Sequence, residues 1–212
     1  MNHWLLPATR GLYAITNGPR PDLPAVMAQA LAGGARVLQY RDESDDSTRR
    51  QHEATALRQL CRAHGVPLII DADVALALAV SADGVHLDDV ASLGSARAAL
   101  GDRAIIGVSC RDSLQSAQEA VRAGASYVSF GAFFHSRTKP LAPRAPLDLL
   151  RQSAALGVPR VAIGGITPDN GRLLIEAGAD YLAAISAVFD ASDVRDAAQR
   201  ISDLYSSPSG TP

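Results

Sequence analysis

The sequence predicts an α/β chain folded as one (β/α)8 TIM-barrel domain, and three observations carry this. Short apolar stretches alternate with helical patterns along the chain, the order of a parallel sheet. A small, mostly glycine-bearing link closes a helix and opens a strand at Ala32-Gly33-Gly34-Ala35, Ser81-Ala82-Asp83-Gly84, Ala123-Gly124-Ala125-Ser126 and Ala177-Gly178-Ala179-Asp180. These links precede the even strands, which suggests a fourfold quarter-barrel repeat. Finally, residues 160–170 run from an apolar strand through Gly164 and Gly165 to Thr167-Pro168, which reads as a capped helix start. The arrangement recurs more softly over 181–186. Bare glycine backbone approaches a ligand closely and helix starts favour anions, so these two late strand ends are candidate phosphate sites. The competing fold is a doubly wound open sheet, but no glycine-rich dinucleotide turn follows the first strand.

The elements follow in order. Residues 1–10 form an N-terminal arm. Residues 11–16 read as the first strand, broken by Pro19 and Pro21, and 23–31 as a helix. Residues 36–41 form a second strand with a polar end at Gln39, Tyr40 and Arg41. After an acidic loop, Ser47 is the expected cap of a long helix ending near His64-Gly65. Strand three covers 67–70 and stops at Asp71. An alanine-rich helix spans 73–80, and strand four spans 84–87. A helix over 95–100, strand five over 105–109 and a helix over 113–123 come next. Strand six covers 127–130 and is followed by a long loop over 131–146. A helix over 147–156, strand seven and its helix, strand eight and a last helix over 193–205 complete the count. Residues 206–212 are expected to be a disordered tail.

Composition narrows the function. Of 212 residues, 47% are hydrophobic and 20% charged, ordinary for a globular chain with a full core. The formal net charge is −2 with no basic run, and aromatics are only 5%, so nucleic acid is not an expected partner. Residues 74–80, the longest aliphatic stretch, are too few to span a membrane. No signal-peptide pattern opens the chain, and Cys61 and Cys110 fit a reducing, cytoplasmic compartment. Small phosphorylated molecules are the expected partners. Oligomeric state is left open, a homodimer included.

In such a barrel the active groups come from the carboxyl ends of the strands. Those ends carry Thr16, Gln39 and Arg41, Asp71, Asp88-Asp89, Ser109, Gly165 and Ile185-Ser186. The set suits anions and a metal. Each member also has an ordinary reading: Asp71 as a helix cap, Asp88-Asp89 as a surface turn, His86 as a core histidine. Cys110 follows Ser109, but no partner base lies near it in sequence. The loop Ser136-Arg137-Thr138-Lys139 combines hydroxyls with two cations, a phosphate-binding composition.

Together, Gln39-Tyr40-Arg41, Ala82-Asp83-Gly84-Val85-His86-Leu87, Ile106-Gly107-Val108-Ser109, Thr138-Lys139-Pro140, Ala162-Ile163-Gly164-Gly165-Ile166-Thr167 and Ala177-Gly178-Ala179-Asp180 resemble the thiamine-phosphate synthase family and its thiazole-tautomerase relatives. The resemblance implies a TIM-barrel transferase of thiamine biosynthesis. It would join a hydroxymethylpyrimidine pyrophosphate to a thiazole phosphate and release pyrophosphate. The family's pyrimidine-pyrophosphate contacts fall on Gln39, Tyr40, Arg41, Asp42, Glu43, Asp71, Ser109 and Lys139, with Arg41, Ser109 and Lys139 as the catalytic set. Its thiazole-phosphate contacts fall on Ser136, Arg137, Thr138, Gly165, Ile185 and Ser186. The implied cofactor is Mg²⁺, and Asp71 and Asp89 are its expected ligands.

Three positions depart from the family pattern. Ala72 stands where a metal aspartate is usual. Glu43 replaces a lysine. After strand four, a gapless match puts Ala91 at the second acidic position, and a short deletion puts Asp89 there. The rival readings are a non-coupling relative that keeps only the thiazole-phosphate half, and a thiazole tautomerase. The tautomerase branch carries a histidine where this chain has Arg111. A phosphosugar epimerase would need a histidine–carboxylate metal set, and none is visible at the strand ends.

Overall fold

Alternation along each strand divides the apolar residues into two layers. The computed structural model describes residues 6–135 and 143–206. Its strands are β1 (Gly11–Ile15), β2 (Ala35–Tyr40), β3 (Leu68–Asp71), β4 (Gly84–Leu87), β5 (Ile105–Arg111), β6 (Tyr127–Phe130), β7 (Arg160–Ile163) and β8 (Tyr181–Ala184). Each pairs in parallel with the next, and β8 closes on β1. This is the (β/α)8 TIM barrel that the sequence predicts.

Outward residues such as Leu12, Leu38, Ile70, Val85, Val108 and Leu182 pack under the helices. Inward residues such as Tyr13, Val37, Ile69, Ile105, Tyr127 and Val161 fill the barrel. A one-residue slip of any strand would exchange the two sets, so the register is held by both layers at once. Leu6, from the N-terminal arm, plugs the floor within the inner cluster. The Tyr181 hydroxyl donates to the carbonyls of Pro7 and Thr9 and ties the arm down.

The outer ring is α1 (Leu23–Ala32), α2 (Ser47–His64), α3 (Val74–Ala79), α4 (Leu93–Leu100), α5 (Leu114–Arg122), α6 (Asp148–Gln152), α7 (Gly171–Ala177), α8 (Ser186–Phe189) and α9 (Val194–Ser202). Single 3₁₀ turns extend α6 and α9, at Ser153–Leu156 and Asp203–Tyr205. Side-chain caps define several starts. Asp73 accepts from the Leu76 amide at 2.8 Å, Ser113 from Ser116 at 3.1 Å and Asp193 from Asp196 at 2.9 Å.

Two expected caps are corrected. Asp46, not Ser47, caps α2, accepting from the Arg49 amide at 3.0 Å. Thr167 does not start α7 either. Its carbonyl accepts from the Asn170 and Gly171 amides, closing a turn over 167–170 before the helix begins. Asn170 fixes that turn by accepting from Thr167 N–H and donating to the Gly165 carbonyl.

The quarter repeat has a physical signature. Asp83, just before β4, accepts from the first amide of β3 at 2.8 Å, and Asp180, just before β8, accepts from the first amide of β7 at 2.9 Å. Ser126 does the equivalent for Ile106 at 3.0 Å. The helix-ending left-handed residue is Gly34, Gly124 or Gly178 in three quarters, but Ser81, with φ +52°, in the second. There the glycine of the link, Gly84, serves close strand approach instead: a Cβ would lie 1.8 Å from the Ile105 carbonyl oxygen.

Candidate active site

The same alternation that builds the core aims polar side chains into the mouth of the barrel. A cavity of about 660 Å³ opens at the carboxyl ends of the strands. β2 turns Gln39 inward, with Arg41 following it, β3 turns Asp71 inward and β4 turns His86 inward, with Asp88 beyond its end. β5 contributes Ser109 and Arg111, and β6 contributes Tyr127 and Ser129.

At the cavity floor these groups form one continuous hydrogen-bonded chain. The Gln39 amide donates to Asp71 at 2.7 Å, and its carbonyl accepts from the Tyr13 hydroxyl at 2.7 Å. The Tyr13 and Tyr127 hydroxyls meet at 2.7 Å. Tyr127 is also 3.0 Å from His86 Nδ1, and His86 Nε2 is 3.3 Å from the Ser129 hydroxyl. Burial, reinforced by the neighbouring Tyr127, raises the Tyr13 phenol well above its ordinary value; burial raises Tyr127 likewise. Both therefore stay protonated and serve as neutral hydrogen-bonding groups.

Arg41 is fixed at backbone and tip. Its N–H donates to the Thr16 hydroxyl at 2.7 Å, and that hydroxyl lies 2.8 Å from its carbonyl. Its guanidinium pairs with Glu43 and lies 3.6 Å from Asp71.

The structure separates the predicted residues. Gln39, Arg41, Glu43, Asp71, Ser109, Gly165, Ile185 and Ser186 all line the one cavity. Tyr40 and Asp42 do not. Tyr40 points outward beneath α2, its hydroxyl 2.6 Å from Glu53. Asp42 accepts from Arg49 at 2.7 Å and from the Ser44 amide at 2.9 Å. Burial works to raise its carboxyl, but these hydrogen bonds outweigh burial and hold it below the usual range. Both residues brace the β2–α2 loop.

Asp89 is likewise turned away. It accepts from the amide and hydroxyl of Ser92, each at 3.0 Å, just ahead of α4. Its neighbour Asp88 lines the cavity instead, and Ala91 does not. Asp71 faces inward by the alternation of β3, two residues after the inward Ile69, and the chain bends directly after it at Ala72 with φ +54°. Among the described residues no three His, Cys, Asp or Glu side chains converge as a metal cluster. Cys110 is excluded as a nucleophile: it points outward, and burial pushes its thiol up to about 12. Ser136, Arg137, Thr138 and Lys139 lie outside the described residues.

The opposite wall is backbone. Gly164 and Gly165 have φ +103° and +63°, and the segment after β6 crosses them closely. A Cβ on Gly165 would lie 2.2 Å from the His135 carbonyl oxygen. Phe133 and Phe134 extend the sheet there, donating to the carbonyls of Ile163 and Gly164 at 3.1 and 3.0 Å. On the adjoining strand end, Ser186 and Ala187 begin α8 and line the cavity. The Val188 and Phe189 amides donate to the Ile185 carbonyl at 3.1 and 2.9 Å, so the amides of this turn that can serve an anion are those of Ser186 and Ala187.

Tyr13, Tyr127 and Ser129 were not singled out from the sequence as cavity groups, and of the strand-end pair Asp88-Asp89 the sequence favoured Asp89 as the ligand where the cavity takes Asp88. Counting by twos puts Tyr127 and Ser129 on one face of β6, and Tyr13 and Ile15 on one face of β1. Asp88 follows from His86 by the same count.

Comparison with known proteins decides the family. The family model described as thiamine monophosphate synthase matches residues 12–188, from the second residue of β1 into α8. The chain belongs to the thiamine-phosphate synthase family. It is 50% identical over 202 residues to the thiamine-phosphate synthase of Chromobacterium violaceum, covering 94% of this chain and 98% of that one. It is 54% identical over 200 residues to that of an Azoarcus species, covering 92% and 97%. Among solved structures, the thiamine phosphate pyrophosphorylase of Pyrococcus furiosus superposes with a TM-score of 0.84 at 34% identity, covering 94% of this chain and 96% of that one. Thiamine-phosphate synthases are enzymes, and the barrel mouth is where this chain gathers its reactive groups. Among the described residues, no helix is long and apolar enough to cross a membrane.

Proposed function

We propose that this chain condenses 4-amino-2-methyl-5-hydroxymethylpyrimidine pyrophosphate with thiazole phosphate in the cytoplasm, giving thiamine phosphate and pyrophosphate. The observation that carries the reading is the division of one cavity into two unlike walls. The β2–β5 wall bears Gln39, Arg41, Asp71, Asp88 and Ser109, and the β7–β8 wall bears Gly165, Ile185 and Ser186. Two phosphorylated substrates meeting in one space need two separate anion subsites. The relatives' names give the product, thiamine phosphate, and the family resemblance gives the two substrates.

The chemistry suits the site. The C–O bond to pyrophosphate breaks with its electron pair leaving on oxygen. The benzylic-type carbon of an electron-rich pyrimidine sustains the cationic character. The thiazole nitrogen then donates its lone pair to form the C–N bond. Catalysis of such a step consists of holding the reactants in line and stabilising the departing anion. Gln39, fixed from both sides by Tyr13 and Asp71, is a pre-set hydrogen-bonding arm for the pyrimidine. Arg41, Ser109 and Lys139 serve the pyrophosphate. Gly165, Ile185 and Ser186, with Ser136, Arg137 and Thr138, serve the thiazole phosphate.

Mg²⁺ takes one or two carboxylates and completes its shell with phosphate oxygens and water. Asp71 and Asp88 on the pyrophosphate wall fit that need, in place of the expected pair of Asp71 and Asp89. When bound, Mg²⁺ would help neutralise the charge on the pyrophosphate. The test is stoichiometric turnover: the purified chain given both substrates forms one pyrophosphate for each thiamine phosphate. No product with saturable thiazole-phosphate binding would identify a non-coupling relative instead.

A further inference from the structure

We infer that Arg111 binds the diphosphate of the pyrimidine substrate, replacing the positive charge that Glu43 removes from this wall. The inference rests on the coupling function proposed above and adds a residue that the family pattern does not assign. The charge balance motivates it. Among the described residues, the cavity is lined by the carboxylates of Glu43, Asp71, Asp88 and Asp190 and by only two guanidiniums, Arg41 and Arg111. Arg41 is already engaged by Glu43 and Asp71. Even with Lys139, which the resemblance assigns to the pyrophosphate, the carboxylates of Glu43, Asp71 and Asp88 on this wall outnumber Lys139 and Arg41, so a diphosphate entering it needs a further cation.

Arg111 is held for such a task. The register of β5 against β6 shifts between Ser109 and Arg111, so the strand does not end in simple alternation. Arg111 takes φ +51°, the left-handed region, where a side chain with a Cβ is strained relative to an ordinary strand. The strand neighbour stabilises this bend, as the Gly131 amide donates to the Arg111 carbonyl at 3.0 Å. Glycine would meet the backbone demand without strain. What arginine adds is a guanidinium lining the cavity beyond Ser109. Among the described residues that guanidinium has no hydrogen bond or ion pair, and only its field reaches Asp89, so its donors remain available, and their planar fork matches phosphate oxygens.

The experiment measures inorganic pyrophosphate binding, with Mg²⁺, to the full chain by calorimetry, so that it needs no turnover. Arg111→Gly removes the charge while relieving the backbone, so folding is preserved and the melting temperature does not fall. Pyrophosphate affinity is expected to drop about tenfold or more, the loss of charged hydrogen bonds, with thiazole-phosphate affinity unchanged. Adding Glu43→Lys to Arg111→Gly is expected to restore much of the pyrophosphate affinity. Unchanged pyrophosphate binding in Arg111→Gly, equal loss for both ligands, or no pyrophosphate binding by the parent chain would overturn the assignment. A parent that binds pyrophosphate through Arg111 yet forms no thiamine phosphate would overturn the coupling function and leave this inference standing.

Discussion

The Tyr127 ring occupies the space that a side chain on Gly107 would fill: a Cβ there would lie 2.0 Å from Tyr127 Cζ. Gly107 faces inward on β5 beside the floor of the cavity, so its missing side chain seats the ring that links Tyr13 to His86. A glycine inside a strand normally weakens it; here it creates room.

Gly107→Ala should therefore be costly in both stability and activity. Overpacking a filled core costs about 1–3 kcal/mol, and displacing the ring also breaks the hydroxyl chain to Gln39. Urea unfolding should show a lower midpoint, and the Michaelis constant for the pyrimidine substrate should rise more than that for thiazole phosphate. A variant with parental stability and kinetics would contradict the packing described for this wall.

The neighbouring carboxylates at the end of β4 should behave differently. Asp88→Asn is expected to raise the Mg²⁺ concentration needed for half-maximal activity, with little effect on folding. Asp89→Ala should leave that requirement unchanged and lower stability. The hydrogen bonds from Ser92 hold the Asp89 carboxyl below its ordinary value, so its stabilising contribution exists above the unfolded-state value, about pH 4, and disappears as pH falls through the folded value. The stability gap between parent and Asp89→Ala should thus close on acidification. Mg²⁺ titration and pH-dependent unfolding read the two effects separately.

Asp42 provides a control on the resemblance. Asp42→Asn weakens the pairing with Arg49 and should destabilise the β2–α2 loop. Because Asp42 does not line the cavity, the Michaelis constants of the surviving folded protein should remain near the parental values. A selective loss of pyrophosphate affinity would return Asp42 to the binding set.

Lys139→Ala should lower coupling sharply, on the order of a hundredfold or more if it meets the leaving group as the resemblance implies. Single-turnover rates with both substrates at saturation check this. Unchanged turnover would remove Lys139 from the catalytic set.

The fold was legible because its signals are periodic. β4 and β6 match their predicted bounds, since each begins after a recognisable helix-ending link and turns polar or bends at its end. Helix starts were less legible: Ser47 and Thr167 have capping side chains, but nearby Asp46 and the turn closed by Asn170 compete for the same backbone groups. Cavity residues divided by the same logic. Gln39, Arg41 and Asp71 were found from their place at strand ends, whereas Tyr40 and Asp42 belong to the same run yet face away, because a strand sends neighbours to opposite sides. The shift at Arg111 has no local sequence signal; it depends on how β5 meets β6.

The most direct measurement is thiamine phosphate formation from the two purified substrates, run with Mg²⁺ and then with an excess of chelator. The account predicts steady turnover with Mg²⁺, loss of that turnover on chelation, and its return when Mg²⁺ is restored. No thiamine phosphate under any of these conditions, from a folded chain that binds both substrates, would contradict it.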